Sequence, residues 1–390
     1  MLVAPFLLAV LQTGHHYYVS PTSIPKPGKS NYLRVPTLVR RPNGFKPKVP
    51  KGFKVEMFAT GLKSPRWLFV TPNADVIVTE SYQGRLIRLR DTDHTGVADL
   101  QTVFASGLNL PTGMAIRNGY FYVANTDSVV RFKYRDGQSS LRNAETVVKG
   151  IPSRGYRQHW TRNLLFDPSG QHFYLTIGSE TNKSAEPLPR GAIWRYNTDG
   201  SGKTLVASGI RNPVGLALNP SSGALWATCV ERDYEGDDVV PDFFTQIKNG
   251  QWYGWPYYYV GSHVDPAFRS KPRPKRKADV PDVLFNAHST PLQFIFYTGS
   301  MFPASYRGDA LVAMRGSTNR LYKSGYKVVR VHFQNGRPTK GYDDFMWGLV
   351  PDPKKREVYG RPVGMGQLPD GSVLVADEGG HCIWRISYSG

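Results

Sequence analysis

The sequence predicts an all-β fold, a six-bladed β-propeller closed by pairing of an N-terminal strand with the last blade. Three observations predict it: a phrase that recurs along the chain, strand-type alternation with almost no helical periodicity, and two ends that are each incomplete in a complementary way. Composition agrees. Aromatic residues make up 13%, and 39 glycines and 30 prolines suit many short strands joined by tight turns. A 40% hydrophobic content excludes a disordered or collagen-like chain.

The recurrent phrase is a short apolar stretch running into Gly-Leu or Gly-Ile. It occurs at Phe58–Leu62, Phe104–Leu108, Val148–Ile151, Val206–Ile210 and Trp347–Leu349. A turn follows, such as Pro72-Asn73, Pro168-Ser169-Gly170, Pro220–Gly223 or Pro369-Asp370-Gly371, and then an alternating strand. Each unit ends on two apolar residues or so and an arginine, as in Ile87-Arg88, Val130-Arg131, Trp194-Arg195, Val329-Arg330 and Trp384-Arg385. Between Ile210 and Leu349 there is room for two blades, the second over roughly Pro291 to Phe333, which brings the count to six. Lys54–Phe58 reads as an outer strand with no inner strands before it. Arg361–Ile386 reads as inner strands with no outer one after them. Pairing the two removes an exposed sheet edge.

Outside the repeat, residues 1–50 form a separate region and 51–390 the propeller domain. Leu2–Leu11 is apolar enough for the core of an export signal, without a basic stretch before it, and is too short to span a bilayer as a helix. His15–Pro50 is Pro-rich and basic and reads as an extended arm. The formal charge of +19 points to anionic partners. Part of it lies in the run Lys271, Arg273, Lys275, Arg276, Lys277, broken by Pro272 and Pro274, which reads as a solvated loop. With no stacking aromatics or nucleic-acid module beside it, no nucleic-acid partner is expected. Cys229 and Cys382 are too few and too far apart for a metal knuckle, and no haem-attachment motif is present. Asp91, Asp93, Thr95, Gly96 and Asp99 are spaced like an incomplete calcium loop whose twelfth position is Thr102, and read as a polar turn.

In a propeller the first strand of each blade lines the channel, so residues just ahead of those strands converge. They are Arg66, Thr112, His159 to Asn163, Arg211-Asn212, His288 and Arg361. The set is rich in arginine and histidine and poor in acids, and arginines confined together require an anion between them, with a multiply carboxylated ligand the natural one. His159 is a general-base candidate; it could equally be a structural histidine bonded to a backbone carbonyl.

At these residues the chain resembles the sorbosone dehydrogenase and soluble quinoprotein glucose dehydrogenase family. The shared phrases are His159-Trp160-Thr161-Arg162-Asn163, Gly209-Ile210-Arg211-Asn212-Pro213, Glu231-Arg232-Asp233 with Gly236-Asp237-Asp238, Tyr253-Gly254-Trp255-Pro256, and Tyr359-Gly360-Arg361-Pro362-Val363-Gly364. The likeness runs from about Gly52 to Ser387 and is closer to the sorbosone branch.

The resemblance implies a sugar or aldehyde dehydrogenase that uses pyrroloquinoline quinone (PQQ) with calcium, in the periplasm or secreted, and that passes electrons to an external acceptor. It implies His159 as the base, with Arg211 and Asn212 on the quinone oxygens. Arg315 and Arg361 would hold carboxylates, and His288 would contact the cofactor. The Asp233 and Tyr234 carbonyls would bind calcium. The acid that orients His159 is Glu180 or missing, and Gln158 aligns with a substrate-contact aspartate. Two other functions remain open: a non-catalytic propeller binding an anionic or glycan ligand, and a metal-dependent lactonase, for which only Asn212 and Glu231 are candidate ligands.

Overall fold

The computed structural model describes residues 14–28, 33–153 and 159–390. Leu2–Leu11 and Gln158 lie outside the described residues. Six four-stranded antiparallel blades are arranged in chain order. Blade 1 is Leu68–Val70, Val76–Glu80, Arg85–Arg90 and Leu100–Ala105. Blade 2 is Met114–Arg117, Tyr120–Ala124, Val129–Lys133 and Glu145–Val148. Blade 3 is Leu164–Phe166, His172–Ile177, Ala192–Asn197 and Thr204–Ser208. Blade 4 is Pro213–Leu218, Leu225–Cys229, Phe243–Gln246 and Val283–Leu284. Blade 5 is Pro291–Phe296, Ala310–Met314, Lys327–Val331 and Tyr342–Met346. Blade 6 is Pro362–Gln367, Val373–Asp377 and Cys382–Tyr388, completed by Phe53–Ala59 from the other end of the chain.

That closure has the expected register, with Phe53 opposite Tyr388, Val55 opposite Ile386 and Met57 opposite Trp384. The Gly-Leu phrase has a backbone cause. It falls where the chain leaves each outer strand, and Gly61, Gly107, Gly150, Gly209 and Gly348 take φ between 64° and 91° there. Only glycine adopts that conformation without strain. The apolar residue that follows is then buried between blades, as Leu62, Ile151, Ile210 and Leu349 are. The recurrent arginine lies on the third strand, and in three blades it meets an acid near the start of the second: Arg88 with Asp75, Arg330 with Asp309, Arg385 with Asp370.

Two boundaries differ from the sequence reading. The fifth blade runs on past Phe333 to Met346, because the hairpin Phe333–Gln334/Arg337–Pro338 precedes its outer strand. In blade 4, residues 247–282 intervene before the outer strand, and Gln251–Trp252 from this insertion adds a parallel strand to blade 3. The basic run from 271 to 277 lies in the insertion and is exposed throughout. The arm is spread over the propeller. His16–Tyr17 extends blade 5, Thr37–Leu38 pairs with Glu357–Val358, and Gly28 and Arg34 donate backbone hydrogen bonds to Glu235 and Thr318. Among the described residues, no helix is long and apolar enough to cross a membrane. The Asp91 to Asp99 loop is internally bonded: Asp91 and Asp93 accept from Thr95 and Gly96, and Asp99 accepts from Thr92.

Candidate active site in the axial channel

An antiparallel blade puts the start of its inner strand beside the end of its second strand, so two sets of loops open on one face. Together they enclose a cavity of about 320 Å³ on the channel axis, lined by His159, Arg211, Asn212, Asp233, His288 and Arg315 among others. Six of the eight sequence-predicted residues are thus brought together. Arg361 lies behind Arg315, its Nε 3.4 Å from the Arg315 carbonyl. Tyr234 is not in the lining; its ring is 45% exposed, and its N–H donates to Asn319 Oδ1.

His159 is buried, with Nδ1 2.9 Å from both the carbonyl and the hydroxyl oxygen of Ser179. The Ser179 hydroxyl gives its hydrogen to the Thr181 carbonyl at 2.7 Å. Both Ser179 oxygens therefore accept, Nδ1 carries the ring proton, and the basic lone pair is on Nε2. Burial and then the Arg211 charge push the ring's pKa well below its ordinary value. His159 is thus bonded to a carbonyl and also lines the cavity. Glu180 does not orient it, since its carboxylate lies 3.4 Å from Arg190. Arg162 fixes the loop instead, donating to the His159 and Thr161 carbonyls at 2.8 and 2.9 Å.

The expected scarcity of acids is corrected by two carboxylates. Glu378 lies between Arg66 Nη1 at 2.9 Å and Arg315 Nε at 2.5 Å. Burial alone would raise its pKa, but Arg315 and Arg66 hold it far below the carboxylate range. Arg361, in the same cluster, is lowered to about 10 by burial and by Arg315. On the other side, Asp233 bonds His288 Nδ1 at 3.2 Å and lies 3.8 Å from Arg211. Burial opposes the charge on His288, but the Asp233 carboxylate outweighs it and raises the ring's pKa. Arg211 is clamped by its own chain, donating to the Asn182 carbonyl at 3.1 Å, Asn182 Oδ1 at 2.9 Å and the Glu231 carbonyl at 2.7 Å.

Around Glu378 the cations outnumber the acid, whereas on the other side Arg211 and His288 face Asp233 and Glu231. Moreover, Arg66 Nε, Arg361 Nη2 and Asn212 Oδ1 are buried without a hydrogen-bond partner among the described residues. Such atoms are costly unless something polar meets them. The Asp233 carbonyl accepts from Asn182 Nδ2 at 2.9 Å. Among the described residues no group of three or more His, Cys, Asp and Glu is placed to hold a metal. Three contributors escaped the sequence reading: Glu378, Ser179 and Asn182. The first two follow second strands, and the topology that placed the inner-strand residues could have found them. Trp160 and Tyr82, ring centroids 5.5 Å apart, form an aromatic wall of the cavity, with Arg66 stacked 4.5 Å over Trp160.

The fold and this cavity define a class: closed six-bladed propellers whose channel holds a polar, cation-rich site. Residues 62–337 match the family described as Glucose / Sorbosone dehydrogenase, and the chain belongs to that family. It is 26% identical to an uncharacterized protein of Borreliella burgdorferi over 87% of this chain and 90% of that one. It is 23% identical to the pyrroloquinoline quinone-dependent sugar dehydrogenase of Hypocrea jecorina, over 76% of this chain and 78% of the other. In structure it is similar to a calcium structure of a Trichoderma reesei carbohydrate-active enzyme of family AA12, with a TM-score of 0.76 at 20% identity, over 93% and 99% of the two chains.

Proposed function

We propose that the chain is a PQQ-dependent dehydrogenase of a sugar or aldehyde, of the sorbosone or aldose type, with calcium at the cofactor. The observation that carries this is His159, its Nδ1 held at the Ser179 carbonyl and its side chain lining a cavity that also contains Arg66, Arg211 and Arg315. The residues fit a multiply carboxylated quinone: the arginines around Glu378 exceed their acid, and buried polar atoms on Arg66, Arg361 and Asn212 lack partners among the described residues.

Bound here, PQQ would supply a hydride acceptor and calcium a Lewis acid beside it. His159 Nε2 takes the proton of the substrate hydroxyl, and the Ser179 carbonyl stabilises the charge that develops on the ring. Arg211 and Asn212 would hold the quinone oxygens, Arg315 with Arg361 behind it the carboxylates, and His288 would contact the cofactor. The Asp233 and Tyr234 carbonyls are the proposed calcium ligands. The aromatic wall of Trp160 and Tyr82 suits the C–H face of a sugar. Electrons leave through an external acceptor, and the apolar Leu2–Leu11 stretch supports a periplasmic or secreted enzyme.

Reconstitution with PQQ and calcium, followed by dye reduction over a panel of aldoses and ketoses, tests the reading. Turnover is expected in the parent and a loss of at least about 100-fold in His159→Ala with quinone still bound. A second reading, a non-catalytic propeller binding an anionic or glycan ligand, is favoured by the way Arg211 is already committed to Asn182 and Glu231. Tight quinone or glycan binding with no turnover on any substrate supports that second reading.

A further inference from the structure

Glu378 has no part in the chemistry above, yet it is the acid most closely held at the cavity. It follows the second strand of blade 6, and its N–H donates to the Arg361 carbonyl at 3.0 Å. Its side chain is 7% exposed, whereas that of Arg315 is 25% exposed and lines the cavity. The carboxylate therefore sits behind the guanidiniums, one oxygen on Arg66 and the other on Arg315. Three arginines cannot be buried together without a counter-charge, and Glu378 supplies it inside the chain. The same negative charge repels any carboxylate that approaches Arg66 and Arg315 from the cavity.

We infer that Glu378 sets the affinity of the channel for anionic ligands, as an internal carboxylate that shares Arg66 and Arg315 with the carboxylate of the ligand. This rests on the reading that the cavity takes a carboxylated quinone. It makes Glu378 a positioning and specificity residue, which touches neither ligand nor reacting atoms.

The test is a titration of the purified full chain with PQQ in calcium-containing buffer, read by tryptophan fluorescence quenching and by the shift in melting temperature. Glu378→Gln keeps the shape and removes the charge. It is expected to bind PQQ about tenfold more tightly, roughly the weight of one charge–charge contact at a near-aqueous dielectric. Its melting temperature without ligand should be lower and its ligand-induced rise larger. Glu378→Asp keeps the charge and should stay within about threefold of the parent. The double variant Arg66→Gln/Glu378→Gln restores the parent's net charge, with Arg315 and Arg361 the cations left in the cluster, and should also bind within about threefold of the parent. A folded Glu378→Gln that binds PQQ no better than the parent overturns the inference, as does a double variant weakened tenfold or more. Failure of both parent and variant to bind PQQ removes the quinone reading instead. Citrate in the same melting assay then decides Glu378: a larger shift in Glu378→Gln supports the inference, and an equal or smaller one overturns it.

Discussion

His159 Nδ1 lies 2.9 Å from the Ser179 carbonyl oxygen, and this contact decides on which nitrogen the imidazole is basic. A carbonyl oxygen accepts and cannot donate, so the tautomer is fixed by the backbone of blade 3. A carboxylate partner would stabilise the protonated ring; a carbonyl does so less, and burial with Arg211 nearby disfavours it further. Turnover at saturating PQQ should therefore be flat through the usual histidine range near pH 6.5 and fall only below it, because protonation removes the base. The sign for stability is the same. The unfolded ring takes a proton near pH 6.5 that the folded ring refuses, so stability is lost as pH drops below that value. A rate profile with an acid limb at or above about pH 6.5 that His159→Ala abolishes would sink this account.

Gly178 provides a second handle on the site. A Cβ built there would meet Asn212 Oδ1 at 2.3 Å and the His159 Cβ at 3.1 Å. Asn212 Oδ1 is buried and has no hydrogen-bond partner among the described residues, so it has little room to retreat. Gly178→Ala should displace both Asn212 and His159. The expected result is at least about a tenfold loss of PQQ affinity with 1–3 kcal/mol of destabilisation, the usual cost of overpacking. Calorimetric titration beside chemical denaturation measures both, and unchanged affinity in a folded variant refutes the placement.

How much of this was legible in sequence depends on where the backbone forces a residue type. The phrase at Gly61, Gly107, Gly150, Gly209 and Gly348 is legible because a left-handed turn follows each outer strand. Blade 4 has no such signal. Its outer strand is displaced to Val283–Leu284 by the insertion, and the left-handed turn beyond it is made by His288, with φ 63°. The site follows the same logic. Arg211, Asn212 and His288 precede inner strands and were readable from position, while Glu378 and Ser179 follow second strands and reach the cavity across the antiparallel pair. Their chemistry is carried by single residues with no periodicity, so only three-dimensional neighbours reveal it. Asn182 belongs to the same group, since its part in the site lies in its bonds to Arg211 and Asp233.

Arg232 shows how a shared phrase can be structural. Its side chain is fully buried, and it bonds Glu231 at 3.0 Å and Asp265 at 2.9 Å. It also donates to the Pro256 and Tyr258 carbonyls, which ties the insertion to the loop that carries Asp233. Arg232→Met would strand two buried carboxylates, at a cost of about 3–5 kcal/mol. Urea denaturation at neutral pH measures it. Because the lost pairing leaves acids that prefer to be neutral, the variant should recover part of the difference as pH is lowered, and a deficit independent of pH contradicts the electrostatic origin.

Closure of the ring is tested at Phe53. It sits on the N-terminal strand of blade 6 and packs edge-on against Phe302 at 4.8 Å, with Phe345 at 5.3 Å and Tyr388 at 4.9 Å. The contact therefore joins the strand that completes blade 6 to the core shared with blade 5. Phe53→Ala leaves a cavity at that seam and should cost about 3–5 kcal/mol. Strand Phe53–Ala59 pairs with Cys382–Tyr388 alone and, unlike the outer strands of the other blades, is contributed from the far end of the chain, so its amides should lose hydrogen-exchange protection before those of the other blades do. Uniform loss of protection around the ring would show that the propeller opens as a whole, and that the seam is no weaker than the blades beside it.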